Sequence, residues 1–408
     1  ALIRALAQRY AAVPVANRAG LDSAYANAMA AVVRRYPDDL EAATLYAEAL
    51  MDLSPWNYWT KQGEPRPDTR EILTQLERVL ARDQNHPGAC HYYIHAVEAA
   101  YPERAVACAE RLATLMPGAG HLVHMPAHIY IRVGRWNDAI KANEHAVHTD
   151  EMYLADQRPE GIYPIGYYPH NYHFLAFAAA MAGRSDEAIR AARSAAQKVP
   201  VDVARQVPDL QGLLPYGHLA LVTFGRWDEV LREPLTPVDV PIGRGLAQYA
   251  RGVALAAKGR WADAKAARDT VERIATSVPT GTGKTVLEIA THALAGEIAA
   301  RRGQLDDAAG HFRVAMRLED GLSYMEPPYW YYPIRHSLGA VLLKAGRAAE
   351  AERLYREDLK RFPENGWALY GLAASLRAQH KDDAAVAVDQ RLKKAWAHAD
   401  VTLRASRF

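Results

Sequence analysis

Several features that would assign a protein class are scarce in this sequence. Cysteine occurs only at Cys90 and Cys108, which excludes a disulfide framework and a four-cysteine zinc site. No apolar run approaches the roughly 18 residues that a membrane span needs. Charge of one sign is lacking as well, since 49 Lys and Arg face 47 Asp and Glu. We therefore expect neither a nucleic acid nor a membrane among the partners of this chain.

The chain is long enough and apolar enough to fold. Its 408 residues exceed an ordinary domain about two- to fourfold. Half of the residues are hydrophobic and 24% are charged, a composition that is typical of folded proteins and not of disordered ones. The sequence opens at Ala1 with neither an initiator methionine nor a charged and then apolar leader, so we expect a soluble protein in a processed or trimmed form.

A repeated turn organises the sequence. The tripeptide Gly-Arg-Trp occurs three times, and three further glycines share its context: an acid four residues later and then Ala or Val. The six glycines are Gly134, Gly183, Gly225, Gly259, Gly303 and Gly346. Glycine ends a helix by tolerating positive φ, and the small residue lets the next helix pack closely. The pattern predicts antiparallel helix pairs, roughly nine by period, and no strands because apolar and polar residues never alternate for long.

This pattern resembles the tetratricopeptide repeat (TPR). Trp367, Tyr370, Gly371 and Ala374 occupy places that the family favours. So do three glycines that precede their turns by seven residues: Gly252, Gly296 and Gly339. The resemblance implies an all-α, right-handed superhelical solenoid whose A helices line a concave groove for ligands. We expect a single solenoid over residues 1–408, with aromatic loop insertions at about 54–68 and 150–168, where turn-forming residues interrupt the repeat.

Histidine is concentrated in one part of the chain. Ten of the sixteen histidines fall between His86 and His173. Seven of them form three groups: His91 and His95; His121, His124 and His128; His170 and His173. Residues three, four and seven apart share a helix face, so each group predicts a stripe. In the tetratricopeptide family these places face the groove, and the resemblance implies three consecutive helices presenting imidazoles to one concavity, with Glu98 close by.

Three longer strings extend the resemblance over most of the chain. They are HPGACHYYIHAVE (86–98), GHLVHMPAHIYIRVGRW (120–136) and GYYPHNYHF (166–174). Together they resemble a set of bacterial tetratricopeptide proteins without an assigned activity, which implies a soluble protein of the bacterial cytoplasm or periplasm. They leave the reaction and the oligomeric state open.

Imidazole is a common ligand of late first-row metals, so the stripes predict one Zn, Cu or Fe ion. The candidate ligands are His91, His95, His124, His128 and His173. Glu98, or a further histidine, would be the general base on a bound water, and Arg132 would hold a substrate carboxylate or a developing anion. Hydrolytic and oxidative chemistry fit equally. A metal-free polar pocket and purely structural histidines are the alternatives.

Aromatic residues form the second signal. Tyr outnumbers Phe 22 to 6, and a buried phenol needs a partner. The candidate substrate-binding residues are Trp56, Trp59, Tyr163 and Tyr168 of the insertions, with His121 and His170. The insertions either close over the groove as a lid or pack as ordinary loops.

One motif resembles a phosphate-binding loop. Residues 279–285 read PTGTGKT, but such a loop needs a strand before it, and we expect a linker between helices and no nucleotide. The sequence thus favours a metal-dependent enzyme acting on a small-molecule or peptide ligand in the concave groove. The alternative is a non-enzymatic scaffold whose groove binds a partner peptide or a small ligand.

Overall fold

The computed structural model describes residues 1–13 and 15–408, and this part of the chain is all-α. Its only β-type pairing is an isolated bridge between Trp59 and Pro65. No helix within the described residues is both long and apolar enough to cross a membrane. The all-α prediction is confirmed, because residues with high helix propensity, such as Ala, Leu, Arg and Glu, fill the periodic segments.

The chain divides into two compact units, Ala1–Val133 and Gly134–Phe408. The helices of the first unit are α1 (Leu2–Leu6), α2 (Ala19–Arg35), α3 (Leu40–Met51), α4 (Thr69–Arg82), α5 (Pro87–Val97), α6 (Val106–Leu115), α7 (Gly120–His124) and α8 (Pro126–Arg132). Short 3-10 turns occupy Ala7–Arg9 and Pro102–Ala105. In this unit α3 packs on α4 and α5 packs on α6.

The second unit consists of fourteen α-helices. Its helices are α9 (Trp136–Gln157), α10 (Tyr168–Met181), α11 (Ser185–Gln197), α12 (Val201–Gln206), α13 (Tyr216–Thr223), α14 (Trp227–Arg232), α15 (Pro241–Ala257), α16 (Trp261–Ser277), α17 (Thr282–Arg301), α18 (Leu305–Gly321), α19 (Ile334–Lys344), α20 (Ala348–Arg361), α21 (Gly366–Arg377) and α22 (Asp382–Ala395). A 3-10 turn occupies Pro208–Gly212, and a π turn occupies Tyr163–Tyr167. From α10 onward, six successive helix pairs pack on their neighbours.

The turn glycines behave as the sequence predicts. All six adopt φ between 66° and 79°, a left-handed conformation that favours glycine. Other glycines allow a side chain of a neighbouring helix to pack closely against the helix backbone. Examples are Gly339, seven residues before its turn, and Gly371. A Cβ added at Gly339 or Gly371 would lie 2.4 or 2.2 Å from Cζ of Tyr355, so the ring fits only because both positions lack a side chain.

The two insertions differ from each other. Residues 54–68 form an irregular loop with a single bridge, as predicted. The expectation of a loop over 150–168 is wrong for most of that segment. Helix α9 continues to Gln157, and α10 begins at Tyr168 directly after the π turn. The segment 150–157 contains neither glycine nor proline, so nothing ends the helix there.

The C-terminal segment, residues 400–408, lies against the A helices of the second unit. The Arg407 guanidinium contacts the carboxylate of Glu297 on α17 at 2.7 Å, and Ser406 Oγ donates a hydrogen bond to the His336 carbonyl on α19 at 2.8 Å. Both contacts are buried. The C-terminal segment therefore packs against α17 and α19, a contact that the repeat pattern does not indicate.

Candidate metal centre

The histidines of α5 share one face because His91 and His95 are four residues apart. The helix begins at a well-defined point. Pro87 occupies its first position, where a missing N–H costs nothing, and Nδ1 of His86 accepts a hydrogen bond from the Ala89 N–H at 3.1 Å. His86, which belongs to none of the three groups, is therefore the N-cap of the helix that carries the first group.

The second group of histidines spans a break between two short helices. His121 and His124 lie on α7, and His128 lies on α8, which begins at Pro126. Proline has no N–H to continue the hydrogen-bond ladder, so the helix is interrupted at Met125. The three side chains nevertheless stay on one side: ring centroids are 6.1 Å apart for His121 and His124 and 4.8 Å apart for His124 and His128.

Packing of α5 beside α7 and α8 brings three imidazoles together. His91 Nε2 and His121 Nε2 lie 3.1 Å apart, and the rings of His91 and His95 have centroids 5.0 Å apart. One ligand atom from each of His91, His95 and His121 lies within 4.8 Å of the others. We call these residues the histidine triad. All three are half-buried.

The triad suits a metal electrostatically. Burial lowers the pKa of His91 well below its usual value, and the neighbouring imidazoles of His95 and His121 act in the same direction. Burial, followed by His95 and His128, lowers the pKa of His121 to about 3. Both imidazoles are therefore neutral near pH 7, which is the form that binds a metal ion.

Glu98 joins the two histidine groups. Its carboxylate is 1% exposed, with Oε1 3.2 Å from His95 Nδ1 and Oε2 2.7 Å from His128 Nδ1. Burial raises the pKa of Glu98, but the imidazoles of His128 and His95 lower it by more, to about 2. An ionised carboxylate on Nδ1 fixes the orientation of a histidine and leaves Nε2 for an ion. We call His95, Glu98 and His128 the carboxylate set.

Arg132 contacts the end of α5. Its Nε and Nη2 atoms lie 3.3 and 3.4 Å from the carbonyl oxygens of Glu98 and Ala99, to which they donate hydrogen bonds. These carbonyls have no partner within the helix. In this structure the guanidinium therefore supports the helix end beside the carboxylate set, whereas the sequence pattern predicts that it holds an anionic substrate.

The two tryptophans of the first insertion have different surroundings. Trp59 Nε1 donates a hydrogen bond to the Ala96 carbonyl at 2.7 Å, and its ring packs edge-on against Tyr101. Trp56 is 60% exposed, adopts φ 57°, and presents its indole edge-on to His95 at a centroid distance of 6.5 Å. Trp56 thus borders the triad, while Trp59 fixes the loop to α5.

The other candidate residues belong to the second unit. Tyr163 donates a hydrogen bond to Asp150 at 2.6 Å, and the buried Tyr168 donates one to Glu151 at 3.2 Å. Each of the two histidines of α10, His170 and His173, contacts an aromatic ring.

The ring of His170 lies 5.0 Å from that of Phe174, and the ring of His173 lies 4.4 Å from that of Tyr216. Burial lowers the pKa of His173 to about 3.

His121 is the residue whose place differs most from its predicted role. The sequence pattern predicts a role in substrate binding, but in the structure its Nε2 lies 3.1 Å from that of His91. The signal was present in the spacing, since His121 shares the helix face of His124 and His128. The spacing within one helix, however, does not specify which residue faces α5.

Comparisons with known proteins leave the function open. No protein family and no curated protein matches the chain. Among solved structures, the chain is similar to the human IFIT1 dimer with m7Gppp-AAAA at 12% identity and a TM-score of 0.39, over 91% of this chain and 77% of that one. It is similar to yeast Tom70 at 11% identity and a TM-score of 0.32, over 96% and 92% of the two chains. Likeness this distant assigns no activity, ligand or partner.

Proposed function

We propose that this protein is a metal-dependent enzyme that acts on a small or peptidic substrate, with one Zn, Cu or Fe ion held by the histidine triad. The observation that carries the proposal is the convergence of three half-buried imidazoles, backed by the buried carboxylate of Glu98. Three protein ligands leave a coordination position open for water or substrate, which is typical of catalytic zinc sites and not of structural ones.

The residues around the triad would act by positioning. Glu98 holds Nδ1 of His95, so the imidazole keeps one orientation and one tautomer. Trp56 supplies an exposed apolar surface beside His95 against which an apolar part of a substrate would pack. A bound ion of this kind would polarise a substrate carbonyl or lower the pKa of a bound water.

The position of the C-terminal segment on α17 and α19 favours the enzyme over the scaffold. A peptide-binding array offers an open groove along several repeats, but here residues 400–408 occupy the A-helix face, with the Arg407–Glu297 pair buried. In the first unit, in contrast, the three histidines of the triad are only half-buried.

Metal content tests the proposal directly. Protein produced without an affinity His tag should carry at least one equivalent of Zn, Cu or Fe by elemental analysis. Replacing His91 and His121 together by Ala should remove one equivalent relative to the wild type, because the ion loses two of its three ligands. His148→Gln, at an exposed position of α9, should change nothing. Protein that is isolated without metal and takes up none on titration would contradict the proposal.

A further inference from the structure

Two sets of potential ligands meet at one residue. The histidine triad and the carboxylate set each bring one ligand atom per residue within 4.8 Å of the others, and both contain His95. The proposed function uses only the triad. It does not use Glu98 and His128, whose potential ligand atoms converge with one of His95. Glu98 is only 1% exposed.

One ion cannot use both sets. The two nitrogens of an imidazole point away from each other, and His95 Nδ1 lies 3.2 Å from Glu98 Oε1. An ion bound to Nδ1 therefore lies on the side of Glu98 and His128, whereas an ion bound to Nε2 lies on the other side of the ring. The sets describe two separate positions linked by the ring of His95.

The donor spacings fit coordination in both positions. Tetrahedral ligands at Zn–N distances of about 2.1 Å lie about 3.3 Å from one another. His91 Nε2 and His121 Nε2 are 3.1 Å apart. On the other side of His95, Glu98 oxygens are 3.2 and 2.7 Å from the Nδ1 atoms of His95 and His128. Small adjustments of side chains would admit an ion to either set.

Charge also favours a cation beside Glu98. Removing a carboxylate from water is costly unless a positive charge is close to it. The groups that contact both oxygens are imidazoles. A divalent ion bound by the carboxylate set would compensate the buried charge and use a ligand combination, imidazole with carboxylate, that late first-row metals accept.

We propose that the carboxylate set is a second metal position, so that the protein holds a dinuclear centre in which the imidazole of His95 bridges two divalent ions. The inference rests on the proposed function for its first ion. His95 would bind one ion through each nitrogen as an imidazolate, and the single N–H proton of the neutral ring would be released to solvent. Glu98 would then be a metal ligand, and this contact would replace its hydrogen bond with His95 Nδ1.

Titration of the metal-free full chain with Cu(II) tests the second position. After removal of free metal, elemental analysis should give two equivalents per chain. Electron paramagnetic resonance should show an isolated Cu(II) signal at substoichiometric loading and magnetic coupling when both positions are filled, because the bridging ring links the two spins. Two equivalents without coupling would overturn the bridge.

Single substitutions separate the positions. Glu98→Gln and His121→Ala should each retain one equivalent and lose the coupling, whereas His148→Gln should keep both. A wild-type protein that binds one equivalent, or a Glu98→Gln variant that still binds two, would overturn the second position and leave the proposed function standing. A wild-type protein that binds no metal would overturn both. The wild-type spectra decide the question even if a variant fails to fold.

Discussion

Glu319 is a carboxyl group that folding removes from water. It lies near the end of α18, and its Oε2 accepts a hydrogen bond from the Ile334 N–H at the start of α19 at 3.2 Å. Burial raises the pKa of Glu319 to about 7, although Arg361 and Arg335 act in the opposite direction. Between about pH 4.5 and pH 7, Glu319 of the folded chain therefore keeps a proton. In the unfolded chain Glu319 has its ordinary pKa of 4.5 and has already released this proton.

This difference predicts how stability changes with pH. The folded pKa is raised, so the free energy of unfolding decreases as pH rises from about 4.5 to 7. Glu319→Gln keeps an oxygen for Ile334 and cannot ionise. The free energy of unfolding of this variant minus that of the wild type should therefore increase by on the order of 2 kcal/mol between pH 5 and pH 8.

Urea denaturation at both pH values measures this change. Glu160→Gln, at an exposed position away from this site, controls for the loss of one negative charge. A gap between Glu319→Gln and the wild type that is independent of pH would contradict the prediction.

At the scale of the helix, close packing requires glycine at particular positions. The three-dimensional contacts show why a side chain is not tolerated there. Tyr355 of α20 is fully buried and lies against Gly339 of α19 and Gly371 of α21. The repeat pattern indicates that these positions are small. The structure adds the reason, because one aromatic ring occupies the space that two Cβ atoms would need.

Gly371→Ala should therefore destabilise the protein by about 1–3 kcal/mol through overpacking, even though Ala favours a helix more than Gly does. Gly310→Ala provides the matched control, because Gly310 lies within α18 and a Cβ there would meet no atom within 4 Å. That variant should be more stable than the wild type by up to about 1 kcal/mol. Thermal denaturation of both variants measures the contrast, and equal melting midpoints would contradict it.

At the scale of the whole molecule, the all-α architecture decides the role of the phosphate-loop look-alike. Helix α16 ends at Ser277 and α17 begins at Thr282, so the segment joins two helices and no strand precedes it. Lys284 lies in the first turn of α17. A nucleotide site of that class takes its loop geometry from a parallel sheet, and the described residues contain no strand that could provide one.

We therefore predict that Lys284→Ala leaves the melting midpoint within about one degree of the wild type, since Lys284 is only half-buried and a single partly exposed lysine contributes little to stability. ATP with magnesium should give no thermal shift in either protein. A magnesium-dependent shift in the wild type that disappears in Lys284→Ala would show that the motif binds a nucleotide after all.

The amino-acid sequence alone determined the helical array and the positions of its turns. These features depend on local properties: the tolerance of Gly134 and Gly225 for positive φ, the spacing of small residues, and helix propensity. The same local rule placed His91 and His95 on one face of α5, because four residues make about one helical turn.

Only the tertiary structure decided which side chains meet across helices. The pairing of His91 with His121, and of Glu98 with both His95 and His128, depends on the rotation and crossing of α5, α7 and α8. Packing sets these quantities, and periodicity within one helix does not. For the same reason the pattern did not indicate that residues 400–408 cover the A helices of the second unit, since such long-range contacts leave no period in the sequence.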